Sequence, residues 1–332
     1  MKASIIEASG GPECLTYKEA PVPELTGANQ VLVRIHSAGI NPIDTKIRSA
    51  ADRFPIELPA ILGCDAAGVI ETIGDQVDGF AVGDEVFWCQ VPFNGRCGNY
   101  AEYAVVDAAL LAKKPANIDF NQAAAAPLVL ITAWEALFDR YALRDGQRVL
   151  VQAGAGGVGH VAIQLAKQAG ARVITTVSTE DKADFVRSLG ADEVINYREQ
   201  DVHAAVMDWT EGEGVDMALD TVGGKVLSET FPCVRVYGDV VTILQPAADT
   251  DWSQARLRNL RTSLELMLSP TMLERPQDLA HQGEILRQAA GLFAEGKLKV
   301  EVARRFPLAE ATKAHRFLEQ EAPMGKVVLE VA

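Results

Sequence analysis

The sequence predicts an α/β protein made of a β-rich unit and a doubly wound parallel sheet. Three observations carry this expectation. Before residue 120, short runs of alternating apolar and polar residues are separated by dense Gly and Pro punctuation. After Pro127, short β runs alternate with amphipathic helical runs. A glycine-rich loop, Gly154-Ala155-Gly156-Gly157-Val158-Gly159, lies between one such β run and the helical run after it. The first pattern reads as a sandwich or small barrel, the second as successive βαβ units.

Taken in chain order, residues 31–35 alternate apolar and polar side chains, as a half-buried strand does. Residues 67–73 and 85–88 read as further strands, with turns signalled by Gly10-Gly11-Pro12, Asn41-Pro42, Gly74-Asp75 and Gly83-Asp84. Residues 147–152 are the first β run of the second part. A helix follows, with Val158, Ala162, Leu165, Ala166 and Ala169 on one face and Gly170 as its stop. Residues 172–177 form the next strand, 181–189 a helix ending at Gly190, and 193–195, 215–219 and 234–244 further strands with helical segments between them. A long helix is predicted over 277–295, where Leu279, Leu286, Ala290 and Phe293 share a face and Gly296 ends it. Residues 300–306 and 326–331 return to strand character and are expected to rejoin the first part. The expected domains are thus 1–123 with 297–332, and 124–296 between them.

Composition narrows the function. The 332 residues carry 31 Lys and Arg against 45 Asp and Glu, a net charge of −14. Such a field repels phosphate backbones and anionic headgroups, so neither nucleic acid nor membrane is expected as a partner. The longest apolar run, 123–131, contains Pro127 and is far shorter than the ~18–20 residues of a membrane span. Five scattered Cys suit reduced thiols better than a disulfide framework, and residues 1–7 lack the apolar stretch of a secretion signal. A cytoplasmic location is the expectation.

The loop at 154–159 fits G-x-G-x-x-G in its required context, strand before and helix after. Gly154 permits the tight turn, Gly156 lets a pyrophosphate approach the backbone, and Gly159 lets the helix sit close to the strand. Gly157, Val158 and Gly159 open the helix, whose free N–H groups and positive dipole end favour phosphate. A site for NAD usually places Asp or Glu at the end of the second strand, about twenty residues on. Here the end is Thr176-Val177-Ser178-Thr179, with Lys182 following. Ser178 can donate to a 2′-phosphate, Lys182 can supply charge, and Tyr197 after the third strand adds a phenol. NADPH is therefore expected over NADH, although Glu180 and Asp181 dilute the positive field.

Several motifs in order now identify a resemblance: AGINPIDT at 38–45, GCDAAG at 63–68, VGDEV at 82–86, GNYAEY at 98–103, LITAW at 130–134, the loop at 153–159 and GKVVL at 325–329. The chain resembles the medium-chain dehydrogenase/reductase superfamily, in its zinc-free quinone oxidoreductase branch, over nearly its whole length. The resemblance implies a GroES-like β-rich catalytic domain, a Rossmann domain, an active-site cleft between them, and a homodimer or homotetramer built by pairing Rossmann sheets. In zinc alcohol dehydrogenases of the superfamily, the position matched by Asn41 is Cys, and those matched by Cys64 and Asp65 are His and Glu. A further Cys falls in the region matched by 127–130. Only Cys64 keeps a ligand here, short of the three a catalytic zinc requires. Cys89 and Cys97 do not make a four-Cys lobe, and the five His are scattered and read as ordinary surface or core residues. No zinc is expected.

The resemblance also places Asn41 and Thr132 near the nicotinamide and its ribose. Asn41 either orients a substrate carbonyl or a water, or is simply a turn residue before Pro42. Asp44 accepts a hydrogen bond from substrate, water or local backbone. Lys46 stands where many relatives carry Tyr; it is either a proton donor or electrostatic handle for a developing anion, or a solvated loop lysine. Thr221 and Val222 are expected to line the cofactor cleft, Ile243 to pass near the nicotinamide amide, and Lys326 to reach the cofactor phosphates or ribose unless it is a surface lysine. The expected activity is NADPH-dependent reduction of quinones. The alternatives are reduction of an enone or enal carbon–carbon double bond, and NADPH binding without catalysis.

Overall fold

The computed structural model describes residues 1–331 and divides into two compact units, Met1–Ile131 with Leu268–Ala332, and Thr132–Met267. The expected boundaries at 123/124 and 296/297 differ from this division. The long helix, Pro276–Ala294, packs against the strand Leu111–Lys113 and the turn Ala108–Leu110 of the first unit. Gly283 makes this approach possible, because a Cβ there would lie 1.9 Å from the carbonyl oxygen of Ala109. Buried Leu279, Leu286 and Phe293 supply the expected apolar face.

The first unit is built on a seven-stranded sheet around Gln30–Ile40. Val31, Val33 and Ile35 are fully buried, as the alternation predicts. This strand pairs antiparallel with Asp65–Ile73, Tyr103–Asp107 and Lys326–Glu330. Asp65–Ile73 continues to Glu85–Cys89 and then Leu111–Lys113, while Val302–Pro307 runs parallel to Lys326–Glu330 at the other edge. A smaller antiparallel sheet places Lys2–Ile6 between Leu15–Glu19 and Ala60–Ile61. Two registers matter for the site: Ile40 is opposite Val327, and Gly39 is opposite Asp65. They bring Lys326, Asn41 and Asp65, far apart in sequence, to neighbouring places on three adjacent strands.

The second unit holds a six-stranded parallel sheet. Its order is Glu193–Asn196, Arg172–Val177, Arg148–Val151, Val215–Asp220, Val234–Thr242, Arg261–Leu264. In chain order this is 3-2-1-4-5-6, the doubly wound arrangement with its switch point beside the first strand. Helices Gly157–Gln168, Glu180–Ser188, Val202–Trp209 and Lys225–Thr230 pack on these strands. A six-residue π-helix, Glu135–Arg140, was not signalled by the sequence. Among the described residues, no helix is long and apolar enough to cross a membrane.

Candidate active site and cofactor site

Asn41 follows the central strand of the first unit, Gln30–Ile40, and caps the helix Pro42–Ser49. Pro42 suits the first helical position, where no N–H is needed. Asp44, three residues past the cap, accepts from the Asn41 N–H at 2.8 Å. This helix buries Asp44, Thr45, Ile47 and Arg48 and exposes Lys46. Two residues turn a helix by about 200°, so Lys46 and Asp44 face opposite ways. The structure brings Asn41 and Asp44 together and leaves Lys46 on another face.

The Asn41 side chain is fully buried and held at both ends. Its Nδ2 donates to Asp65 Oδ2 at 2.9 Å, and its Oδ1 accepts from the Lys326 ammonium. Lys326 also donates to Ile40 O at 2.9 Å and lies 4.0 Å from Asp65 Oδ2. Its charge, expected at the cofactor phosphates or ribose, is instead committed to these protein groups. Asp65 Oδ1 accepts the backbone N–H of Leu128 at 2.9 Å. Burial pushes the Asp65 carboxyl up to about 7, against the pull of Lys326 and the Asn41 amide. Burial also lowers Lys326, and the carboxylates of Asp65 and Asp44 oppose that shift.

Asp44 gathers three donors. Besides the Asn41 N–H, the Cys64 thiol reaches Oδ1 at 3.2 Å and the Tyr100 phenol reaches Oδ2 at 3.2 Å. Burial raises its pKa and these donors restrain the rise. A carboxylate so occupied is built to hold the Asn41 cap rather than to collect protons. Tyr100 Oη meets His315 Nε2 at 3.1 Å, and His315 Nδ1 meets Arg48 Nη1 at 3.3 Å. Tyr100 and His315 escaped the sequence reading. Tyr100 lies inside a recognised motif without a role, and His315 reads as an ordinary surface or core residue.

These contacts also test the zinc positions. Cys64 spends its proton on Asp44, and burial beside Asp44 raises the thiol well above its usual range. A thiolate ligand is disfavoured there. Asn41 offers an amide already bonded at both ends, and Asp65 faces an ammonium. The donor set does not fit a catalytic zinc, and among the described residues no group of three or more His, Cys, Asp or Glu is arranged to hold a metal.

In the second unit the expected cofactor residues share one location. Gly154 follows the strand Arg148–Val151, Ser178 follows Arg172–Val177, Tyr197 follows Glu193–Asn196, Thr221 and Val222 follow Val215–Asp220, and Ile243 follows Val234–Thr242. All lie just beyond the carboxyl ends of parallel strands, the rim where ligands of open α/β sheets bind. Backbone and side-chain bonds tie the rim together: Gly154 N to Thr176 O at 3.0 Å, Thr221 Oγ1 to Gln152 O at 2.7 Å, and Ile243 N to Asp220 O at 3.1 Å. Buried Asp220 accepts from Val222 N, Gly223 N and Thr242 Oγ1, which fixes the turn carrying Thr221 and Val222. Thr132 is buried on the helix Pro127–Trp134. Tyr197 is exposed and Ser178 and Lys182 are half-buried.

The three loop glycines differ in what demands them. A Cβ on Gly154 would lie 2.1 Å from Thr175 Oγ1, and one on Gly159 would lie 2.4 Å from Ala153 O. On Gly156 it would meet only Ala153 O, at 3.2 Å. The protein itself requires the outer two; the middle one leaves room at the N-terminus of Gly157–Gln168.

Comparison with known proteins agrees with this architecture. Residues 27–116 match the family described as alcohol dehydrogenase GroES-like domain, and residues 189–329 match the zinc-binding dehydrogenase family. A quinone oxidoreductase of Pseudomonas aeruginosa is 35% identical, covering 97% of each chain. A 2-haloacrylate reductase of Burkholderia is 32% identical, covering 98% of each. The structure of Escherichia coli quinone oxidoreductase complexed with NADPH superposes with a TM-score of 0.87 at 31% identity over 100% of both chains. The GroES-like sheet, the 3-2-1-4-5-6 parallel sheet and these full-length likenesses place the chain in the medium-chain dehydrogenase/reductase superfamily of oxidoreductases, as a quinone oxidoreductase-like member.

Proposed function

We propose that the protein is an NADPH-dependent reductase that passes hydride to quinones without zinc. The observation that carries this reading is the fixed Asn41 amide. Lys326 can only donate and Asp65, when ionised, can only accept, so the amide has one orientation. One Nδ2 hydrogen is spent on Asp65, and the other remains to donate to an oxygen gaining negative charge. A quinone that takes hydride from NADPH and one proton from solvent becomes a hydroquinone. A donor fixed in advance at its carbonyl oxygen lowers the barrier without reorganisation. NADPH supplies the hydride; the chain binds and orients it. Gly154, Gly156, Gly157, Val158 and Gly159 would hold its pyrophosphate, and Ser178, Lys182 and Tyr197 its 2′-phosphate. The absence of an acid at 176–179 supports NADPH, and so does the NADPH complex of the Escherichia coli relative. Thr132, Thr221, Val222 and Ile243 would flank ribose and nicotinamide. The edge strand Arg261–Leu264, which exposes Leu264, supports assembly through paired sheets as a homodimer or homotetramer.

A second reading is reduction of a carbon–carbon double bond beside a carbonyl. The relative named 2-haloacrylate reductase favours it. It differs in needing a proton at the α-carbon, for which Asp44, already satisfied by three donors, is poorly suited. The deciding experiment follows NADPH oxidation by the metal-analysed protein with 1,4-benzoquinone, 9,10-phenanthrenequinone, an enal and an enone, with NADH as control. Saturable quinone turnover, preference for NADPH and substoichiometric zinc are expected. Faster enal turnover would move the assignment to double-bond reduction. NADPH binding without turnover of any acceptor would overturn both.

A further inference from the structure

We propose that His315 is a positioning residue for Asn41, acting through a one-way hydrogen-bond chain from Arg48 through His315 and Tyr100 to Asp44. The proposal rests on the reading of Asn41 as the donor at the hydride-transfer site. The direction follows from counting donors. A guanidinium has donors only, so His315 Nδ1, 3.3 Å from Arg48 Nη1, must accept. The neutral ring then carries its proton on Nε2 and gives it to Tyr100 Oη at 3.1 Å. The phenol's own proton points to Asp44 Oδ2 at 3.2 Å. The same oxygen accepts the Asn41 N–H at 2.8 Å, at the cap of the helix.

Every member of the chain is buried, and Arg48 is anchored at its far end by Gly10 O at 3.0 Å and Glu319 Oε1 at 2.6 Å. The Tyr100 and His315 rings meet edge to face at 5.6 Å, so packing fixes their planes as well as their bonds. Burial, with Arg48 adjacent, holds His315 down to about 3, which keeps the ring neutral and the direction constant. Two segments distant in sequence, that of Tyr100 and the helix Ala311–Gln320, thus tie the helix Pro42–Ser49 at both Arg48 and the Asp44 carboxylate, whose local task is to hold Asn41. Without Tyr100, Asp44 loses a donor; without His315, the phenol loses the partner that aims its proton at Asp44; either way the cap loosens and the amide at the reacting oxygen drifts. A misplacement on the order of 1 Å can cost about a hundredfold in rate.

The test combines spectroscopy with kinetics on the full-length protein and NADPH. Histidine ring ¹⁵N–¹H correlation spectra are expected to show His315 as the Nε2–H tautomer, unchanged between pH 6 and 8. An Nδ1–H tautomer, or titration in that range, overturns the chain. His315→Gln carries an acceptor and a donor in one side chain and is expected to keep kcat for 1,4-benzoquinone within about twofold. His315→Leu and Tyr100→Phe each are expected to lower kcat about tenfold with KM for NADPH within twofold, and the double variant to be no worse than either single one. Equal damage from Gln and Leu, or losses that multiply in the double variant, overturn the positioning role. If His315→Leu does not fold, Tyr100→Phe with and without His315→Gln gives the same comparison. Failure of the wild type to turn over any acceptor overturns the functional reading and the positioning role with it, whereas a wrong tautomer in an active enzyme overturns only the chain.

Discussion

The side chains of Asn41 and Asp65 meet in a single 2.9 Å hydrogen bond, donated by the amide to the carboxylate. With the Lys326 ammonium on the opposite end of the amide, a flipped Asn41 would face donor to donor and acceptor to acceptor. Removal of the amide in Asn41→Ala is expected to lower kcat for quinone by about 100–1,000-fold, the usual cost of one fixed oxyanion donor. Asn41→Asp places a second carboxylate against Asp65 and is expected to be no better. NADPH affinity, followed by fluorescence titration, should change less than kcat. Full activity of either variant would remove Asn41 from the reaction.

The Lys326 ammonium lies 4.0 Å from buried Asp65, so its loss should be felt in stability. Lys326→Met leaves the Asp65 carboxyl without its counter-charge and the Ile40 carbonyl and the Asn41 amide oxygen without their donor. Breaking a buried pair from one side costs about 3–5 kcal/mol. Adding Asp65→Asn, which removes the uncompensated charge but keeps an oxygen for the Leu128 N–H, should recover part of that loss. Denaturant unfolding of the three variants measures both effects. A Lys326→Met protein as stable as wild type would show that the pair contributes nothing.

The glycine loop separates folding from binding. Gly159→Ala drives a Cβ into the Ala153 carbonyl and is expected to lower Tm by several degrees. Gly156→Ala meets the same oxygen only at 3.2 Å, so Tm should stay close to wild type while NADPH binding weakens at least tenfold, because the methyl group stands where pyrophosphate must approach. Thermal scans with and without NADPH read both. Unchanged NADPH affinity in Gly156→Ala would place the pyrophosphate elsewhere.

What the sequence made legible was local. Period-two alternation in 31–35 and the glycines of 154–159 express their structure within a few residues, and the strand ends carrying Ser178, Thr221 and Ile243 follow from βαβ alternation. The Asn41 cluster is different in kind. Lys326 is 285 residues from Asn41, and His315 is 215 from Tyr100. Sheet register brings Lys326 to Asn41, and no spacing rule reports it. A lysine opening a strand reads as a cofactor contact or a surface residue, and a lone histidine as an ordinary surface or core residue, until the neighbouring strands are placed. The long helix is a related case: its apolar face shows that it packs, and Gly283 against Ala109 decides where.

The last prediction concerns Glu265, which follows the edge strand Arg261–Leu264 and lies 3.4 Å from Arg140. Its carboxyl is almost wholly buried. Burial, and next the hydrogen bond and charge of Glu135, push it up to about 9, while Arg140 pulls the other way. The folded protein therefore keeps a proton that the unfolded chain releases above its ordinary carboxyl range. The native state binds more protons between pH 4.5 and 9, so stability from this group is complete below that window and declines as pH rises through it. Glu265→Gln retains a hydrogen-bond donor toward Glu135 without an ionisable proton. The variant is expected to match wild type near pH 5 and to be the more stable of the two at pH 8.5, with a Tm that falls less steeply as pH rises. Thermal unfolding from pH 5 to 9 is the measurement. Parallel curves for the two proteins would mean that Glu265 ionises alike in both states, and that the Glu135–Glu265 contact costs the fold nothing at high pH.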